Sequence, residues 1–255
     1  MKLHVKSFGE GEPLIILHGL FGSSDNWQTL AKGLATKRKI IVPDLRNHGQ
    51  SPHHPDWNYM IMAQDVIDLC REMGLVKVQV AGHSMGGKTA MWMAGMAPSL
   101  ISRMMVIDIG PQYYPPHHQS VFEAIDAAEA TGLHSRKEAE QAMLRVLDEP
   151  GTVQFLLKNL YWQNPEKLGW RFNLPIIRKN ILEVGKANDL INYPVLCPVM
   201  FLKGDNSNYL REKDIEGIKN SFSEPSIESI DGAGHWLHAE KPMETFNAIE
   251  KWFES

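Results

Sequence analysis

Residues 82–87 read Gly82-His83-Ser84-Met85-Gly86-Gly87, between an apolar segment and a helical one. The segment before it, residues 76–82, alternates β-branched and polar side chains, which is typical of a strand. The segment after it, residues 85–97, has small and apolar residues at helical spacing and ends before Pro98. Glycines on both sides of a serine permit a sharp strand-to-helix turn that holds the hydroxyl clear of other contacts. The pattern therefore predicts a nucleophile at Ser84.

The composition excludes several classes of protein. The chain has 255 residues, 43% of them hydrophobic and 22% charged, which fits one large globular domain. A formal net charge of −4 without a basic block argues against nucleic acid or anionic membrane partners. The apolar runs are too short to cross a bilayer, and residues 1–8 resemble an edge strand and not a signal peptide. Two cysteines in segments expected to be buried favour a cytoplasmic protein, which we expect to be a monomer or a small homo-oligomer.

Short apolar runs alternate with helical patterns along most of the chain. Nearly continuous apolar runs suit strands of a parallel sheet that is covered on both faces. Their alternation with helices predicts an α/β fold with a doubly wound, mostly parallel sheet. The predicted strands cover residues 14–17, 40–43, 76–82, 104–109 and 199–203, and the predicted helices cover residues 27–34, 60–73, 85–97, 211–222 and 242–253.

Residues 112–190 interrupt this alternation, because they contain helical patterns and no convincing strand. The predicted helices there cover residues 120–131, 135–148, 153–162 and 173–184. The segment leaves the sheet after one strand and returns to another, so we expect a lid above the carboxyl ends of the strands, where open α/β sheets bind ligands. The predicted core then comprises residues 1–111 and 191–255, and a separately folded helical domain is the alternative for residues 112–190.

A nucleophilic serine needs a base, and the candidate is His235. It lies in residues 232–242, a glycine-rich loop that follows a short apolar run and ends at a proline suited to a helix start. From such a loop an imidazole can reach over the sheet edge toward Ser84 and accept its proton. His238, three residues on, is expected to be structural.

The oxyanion of acyl transfer needs backbone amides. Met85 supplies one by its place directly after the nucleophile, at the positive end of the predicted helix. The second is expected from the loop at residues 18–23, with Leu20 as the first choice and Phe21 as the alternative. His18 is expected to hold this loop together.

Two aspartates compete for the acid that orients the histidine. Asp108 lies within an apolar strand pattern, where a buried carboxylate is costly unless it is paired, so its presence needs a reason. A histidine above the strand end supplies that reason. Asp205 follows Gly204 at the end of another predicted strand and remains the alternative acid.

These residues resemble the α/β-hydrolase superfamily over essentially the whole chain, and more closely the YbfF-type bacterial esterases. The resemblance implies the α/β-hydrolase fold, with a helical lid inserted after the sixth strand of that fold. It also implies hydrolysis of acyl esters by a Ser-His-Asp triad through an acyl-enzyme, without a cofactor, and leaves acyl thioesters open. In much of the superfamily the acid stands where this chain has Ser207, so the resemblance implies a shift of the acid to Asp108. The stretches that carry it are residues 18–23, 44–51, 82–88, 153–158, 170–173 and 232–242.

Further residues are candidates for binding a small-molecule ester or thioester substrate. Lys158 and Arg171 interrupt apolar lid segments and could contact an anionic acyl or coenzyme group, although a solvated surface charge is the alternative. Phe21 and Trp236 stand beside the predicted oxyanion loop and the predicted base. No metal site is expected, because the paired histidines are adjacent in sequence and lack further ligands at suitable spacing.

Other functions on the same scaffold stay open at this point. Carbon–carbon bond hydrolysis and cofactor-free perhydrolysis use the same fold, which does not choose between them. A ligand receptor that keeps the three catalytic residues but signals through its lid is an alternative of a different class.

Overall fold

A seven-stranded sheet, with strand order β1-β3-β2-β4-β5-β8-β9, runs through the computed structural model, which describes residues 1–254. Strand β1 pairs antiparallel with β3 at one edge, and every other pairing in this sheet is parallel. The predicted mostly parallel α/β sheet is therefore confirmed. The strands are β1 (Val5–Phe8), β2 (Pro13–Leu17), β3 (Lys39–Pro43), β4 (Val78–His83), β5 (Ile101–Ile107), β8 (Val199–Gly204) and β9 (Ser226–Ile230).

Helices cover both faces of the sheet because successive strand residues point to opposite sides. In β2, Leu14 and Ile16 pack in a cluster with helices α1 and α11, whereas Ile15 and Leu17 pack in the cluster that contains α2 and α3. All four side chains are fully buried, which explains the unbroken apolar run. The helices around the sheet are α1 (Gln28–Leu34), α2 (Tyr59–Glu72), α3 (Met85–Met96), α9 (Glu212–Ser221), α10 (Leu237–Glu240) and α11 (Pro242–Glu254).

The segment between β5 and β8 is mostly helical, as predicted, but it also contains an antiparallel hairpin of β6 and β7. The expectation that this segment holds no strand was therefore wrong, and the predicted helix at residues 153–162 ends at Leu157. The segment follows β5, the fifth strand that the structure describes. Its elements are α4 (Gln119–Glu129), α5 (Arg136–Leu144), α6 (Pro150–Leu157), β6 (Leu160–Asn164), β7 (Lys167–Trp170), α7 (Leu174–Lys179) and α8 (Ile181–Gly185).

A buried lysine of α3 ties both connections of this segment to the core. Lys88 Nζ donates one hydrogen bond to the carbonyl of Gln112 over 2.7 Å and another to the carbonyl of Lys186. The Asn188 side chain donates in turn to the Lys88 carbonyl over 3.0 Å. The ammonium also lies 5.0 Å from the centre of the Tyr114 ring. One side chain thus fixes where the segment leaves the core and where it returns.

The Lys88 ammonium makes stability depend on pH. Burial lowers the pKa of Lys88 from its usual 10.5 to about 7. Between those values the unfolded chain binds a proton that the folded chain does not, so the free energy of unfolding rises with pH. Lys88→Met removes this dependence. Urea titrations measure the free energy of unfolding of the parent and of the variant. The parent value minus the variant value should increase by about 2 kcal/mol from about pH 7.5 to pH 9. The same value of this difference at both pH values would contradict the prediction, and Lys32→Met on the exposed side of α1 is the matched control.

The parallel strands end level with one another. Leu17 of β2 pairs with Gly82 of β4, and His83 of β4 pairs with Ile107 of β5, which in turn pairs with Leu202 of β8. Loops that follow these strands therefore meet at one edge of the sheet.

Within residues 1–254, no helix combines the length and the apolar character that crossing a lipid bilayer requires.

Candidate active site

Ser84 stands at a sharp turn between β4 and α3. Its backbone has φ 53° and ψ −118°, a left-handed conformation that costs free energy for a residue with a side chain. A Cβ on Gly82 would lie 2.3 Å from the Gly86 carbonyl, and one on Gly86 would lie 2.3 Å from the Leu17 carbonyl. Gly82 is therefore needed for α3 to begin close to the end of β4, and Gly86 is needed for the turn to close against β2. The result is a serine held at the end of a central strand by a strained backbone.

His235 and Asp108 form a hydrogen-bonded pair at the same sheet edge. His235 Nδ1 donates to Asp108 Oδ2 over 2.7 Å, which leaves the other ring nitrogen free of this carboxylate. Asp108 is fully buried and follows β5 directly, with a positive φ of 51°. Its Oδ1 accepts the Gly204 amide over 3.0 Å, and the Ser207 hydroxyl donates to Oδ2. These donors stabilise a buried carboxylate that would otherwise be costly.

Asp205, the alternative acid, lies apart from this pair. Its side chain is exposed, and its backbone amide bonds to the Ile230 carbonyl over 3.1 Å. Ser207, two residues on, is the group of this loop that reaches the Asp108 carboxylate. The geometry therefore brings Asp108, and not Asp205, into contact with His235.

Two neighbours of His235 were not predicted from the sequence. His83 is fully buried, and its Nε2 donates to the His235 carbonyl over 2.8 Å, which fixes the loop that carries His235. Burial lowers the pKa of His83 well below its usual value, so this ring is neutral. Tyr209 stacks on the His235 ring with centres 3.9 Å apart, and so restrains its plane. A histidine directly before Ser84 was the one available sequence signal.

The loop at residues 18–23 lies against the nucleophile. A Cβ on Gly19 would lie 3.4 Å from the Ser84 Cβ, which shows how closely the loop approaches. His18 is buried and holds the loop, since its Nδ1 donates to the Gly19 carbonyl over 2.8 Å and its Nε2 accepts the Leu45 amide over 2.9 Å. These contacts agree with the structural role predicted for His18, and burial lowers the pKa of this imidazole.

Leu20 and Met85, the residues predicted to supply the oxyanion amides, lie beside Ser84. Both are buried, and both line a small cavity that Ser84 also lines. Met85 is the first residue of α3, so its amide has no partner within the helix. Phe21, the alternative donor, has a positive φ of 56°, and its carbonyl accepts a 2.7 Å hydrogen bond from Asn159 of the helical segment.

The predicted substrate contacts are distributed unevenly around the site. Phe21 and Trp236 line a cavity of about 320 Å³ together with Ser84 and His235. Lys158 instead lines a neighbouring cavity of about 960 Å³, which lies between α6 and the core helices α1 and α11. Arg171 lies outside both, with its guanidinium 4.7 Å from the centre of the Tyr161 ring. The structure thus brings two of the four to the nucleophile.

Four residues line both of these cavities: Glu149, Thr152, Phe155 and Trp236. The rings of Phe155, from α6, and Trp236 lie with centres 4.0 Å apart. Trp236 directly follows His235, so this ring pair is fixed to the loop of the candidate base. His238 lies behind it, stacked on Trp27 at 4.5 Å, and burial lowers the pKa of His238 to about 3. His238 therefore belongs to the packing of the loop.

Within the described chain, no three His, Cys, Asp or Glu side chains are grouped so as to hold a metal ion.

Comparison with solved structures finds close similarity to a protein described as a marine microorganism esterase. The two share 38% sequence identity and superpose with a TM-score of 0.94, over 98% of this chain and 99% of that one. Among proteins of known name, this chain is 36% identical to the esterase YbfF of Escherichia coli strain K12, over 94% of this chain and 92% of that protein. It is also 36% identical to the mouse sn-1-specific diacylglycerol lipase ABHD11, over 92% of this chain and 79% of the lipase.

The comparison with protein families agrees with these similarities. The model of a family described by its alpha/beta hydrolase fold matches residues 12–242. This range includes Ser84 at the turn after β4, the Asp108–His235 pair and the whole helical segment between β5 and β8. With a match over most of its length and a serine at the sharp turn of a mostly parallel sheet, the chain belongs to the α/β-hydrolase family.

Proposed function

We propose that this protein is a serine hydrolase that cleaves carboxylic esters of small molecules through an acyl-enzyme. Ser84 attacks the ester carbonyl while His235 accepts the hydroxyl proton, and Asp108 orients the imidazole and stabilises its charged form. The C–O bond to the alcohol breaks as His235 returns that proton to the leaving oxygen. Water then attacks the acyl-enzyme with the same histidine as base, which releases the acid and restores Ser84.

The observation that carries this proposal is the 2.7 Å hydrogen bond between His235 and a fully buried Asp108, at the same sheet edge as Ser84. A buried carboxylate with this partner favours the tautomer whose Nε2 can accept a proton. We assign the developing oxyanion to the amides of Leu20 and Met85. Removal of one such donor typically costs about 10²–10³-fold in kcat, so these amides are a large part of the catalysis.

Residues 112–190 act as the lid of this site, on the core formed by residues 1–111 and 191–255. Support comes from the Asn159–Phe21 hydrogen bond and from Phe155, which bring the segment to the wall of the cavity at Ser84. Acyl thioesters are a second substrate class. Lys158, which lines the neighbouring cavity, is the candidate cation for an anionic group, whereas Arg171 has no support from its position. We place the enzyme in the cytoplasm as a monomer or small homo-oligomer, consistent with two free cysteines.

The names of the relatives support ester cleavage over the other reactions of the fold. Rates of hydrolysis of p-nitrophenyl esters and of acyl-coenzyme A thioesters test the proposal directly. We expect steady turnover of the esters, without added metal or cofactor, preceded by a burst of p-nitrophenol if the acyl-enzyme accumulates. No hydrolysis of either class, or a single slow turnover that moves the lid, would reject an esterase and favour a receptor.

A further inference from the structure

Two cavities meet at Ser84, and they are lined by different parts of the candidate machinery. Both are lined by Ser84, Leu20, His117, His118 and Tyr209. The larger cavity is also lined by His235, and the smaller one by Met85. The nucleophile therefore lies between a side that carries the base and a side that carries the first amide of α3.

This arrangement distinguishes the two halves of an ester, an argument that rests on the proposed function. The histidine must hand its proton to the leaving oxygen, so the alcohol half lies on the side of His235. The carbonyl oxygen points to the amides of Leu20 and Met85, and the acyl chain occupies the remaining direction. That direction is the smaller cavity, because Met85 lines it and His235 does not.

The sizes of the two cavities differ strongly. The one on the acyl side measures about 20 Å³ and is closed by Tyr59, Ile109 and Ile181. Holding a single water molecule takes about 10–15 Å³, so this space suits a methyl group and little more. The cavity on the alcohol side measures about 320 Å³, within the usual range for a small-molecule site, which begins at about 300 Å³.

We infer that the enzyme acts on esters of a short acyl group, of acetyl size, with a bulky alcohol. Ile181 of α8 determines the acyl length, because its half-buried side chain closes the small cavity from the lid. The first turn of α4 limits the size of the alcohol, because its exposed residue Ser120 lines the larger cavity.

The first test varies one half of the ester at a time. With p-nitrophenol as the constant leaving group, kcat/KM should fall by about 10-fold or more from acetate to butyrate and again to hexanoate. With acetate as the constant acyl group, kcat/KM for methyl, hexyl and benzyl esters, followed by acid release, should stay level or rise with size. Preference for long acyl chains together with loss of the bulky acetates would overturn the assignment.

The second test enlarges the acyl cavity from the lid. Ile181→Ala should raise kcat/KM for the butyrate about 10-fold relative to acetate, because added space accepts the longer chain. Val184→Ala, at the same cavity, should act in the same direction and covers the case in which the first variant folds poorly. Leu182→Ala is the matched control, since this neighbour in α8 is 61% exposed. Equal acyl preference in both cavity variants and the control would overturn the role of Ile181.

The third test fills the alcohol cavity. Ser120→Trp should lower kcat/KM for benzyl acetate about 10-fold or more relative to methyl acetate, whereas Gln119→Trp on the exposed part of α4 should not change this ratio. Equal loss for both acetates would reject this cavity as the alcohol site. These failures differ from a failure of the proposed function, which would appear as a parent enzyme that hydrolyses none of the esters.

Discussion

Replacing Ser84 by alanine is expected to lower kcat for p-nitrophenyl acetate by about 10⁶-fold while the protein stays folded. The hydroxyl is the only atom group removed, so the turn, the amide of Met85 and the cavity remain. What is lost is the oxygen that forms the acyl-enzyme, and no neighbour in the turn can replace it. Initial rates with active-site titration of the parent measure the effect.

The control is a serine elsewhere on the surface. Ser221→Ala at the end of α9 removes the same atom from an exposed position and should keep the parental kcat. Far-ultraviolet circular dichroism and the Tm of Ser84→Ala should match those of the parent, because alanine carries the same Cβ at φ 53°. Turnover by the Ser84 variant within tenfold of the parent would remove Ser84 from the mechanism.

The second large effect is expected at the acid. Asp108→Asn should lower kcat by about 10⁴-fold with little change in KM, as replacement of a triad aspartate can do. The amide keeps the shape of the side chain but can present a donor to His235 Nδ1, which favours the tautomer that cannot accept the proton of Ser84. It also leaves the imidazolium of the transition state without its counter-charge.

Asp205→Asn is the matched comparison, since it makes the same change in the competing loop. Its side chain is exposed and apart from His235, so kcat should stay close to that of the parent. A large loss at Asp205 together with a small loss at Asp108 would transfer the role to Asp205. The kcat of Ser207→Ala should lie between those of Asp108→Asn and Asp205→Asn, because the change removes one of the donors to the Asp108 carboxylate.

The order of strands and helices in the core could be predicted because periodicity reports burial. Residues 14–17 form an unbroken apolar run because both faces of β2 are covered, and this run is visible in the sequence. Element ends were less accurate. The predicted strand at residues 76–82 starts in the structure at Val78, and Val76 is 89% exposed despite its apolar side chain. Pairing with the neighbouring strands, and not residue type, sets that boundary.

The hairpin of β6 and β7 was missed because the surrounding segment reads as helical. Local signals were nonetheless present: Tyr161 and Trp162 favour strands, and Asn164-Pro165 favours a turn before Lys167. The preceding α6 ends at Leu157, whereas the predicted helix continued to residue 162.

The candidate site shows what a single sequence can and cannot indicate. Ser84 and His235 stand in glycine-rich loops with local patterns, and Asp108 is conspicuous as a carboxylate in an apolar strand. His83 is marked only by its place directly before Ser84, and Tyr209 has no local signal, because their contacts with His235 join parts of the chain that are far apart in sequence. The left-handed backbone at Ser84 and Asp108 is likewise set by tertiary packing.

The most direct test of the account is to identify the residue that becomes covalently modified. The protein is treated with diethyl p-nitrophenyl phosphate, which phosphorylates an activated serine, and the modified peptide is located by mass spectrometry. We predict one adduct per chain, on Ser84, in the native protein. The adduct should form more slowly in Asp108→Asn, and it should not form in protein that has been unfolded in urea. An adduct on another residue, or full inactivation of ester hydrolysis without an adduct on Ser84, would contradict the account.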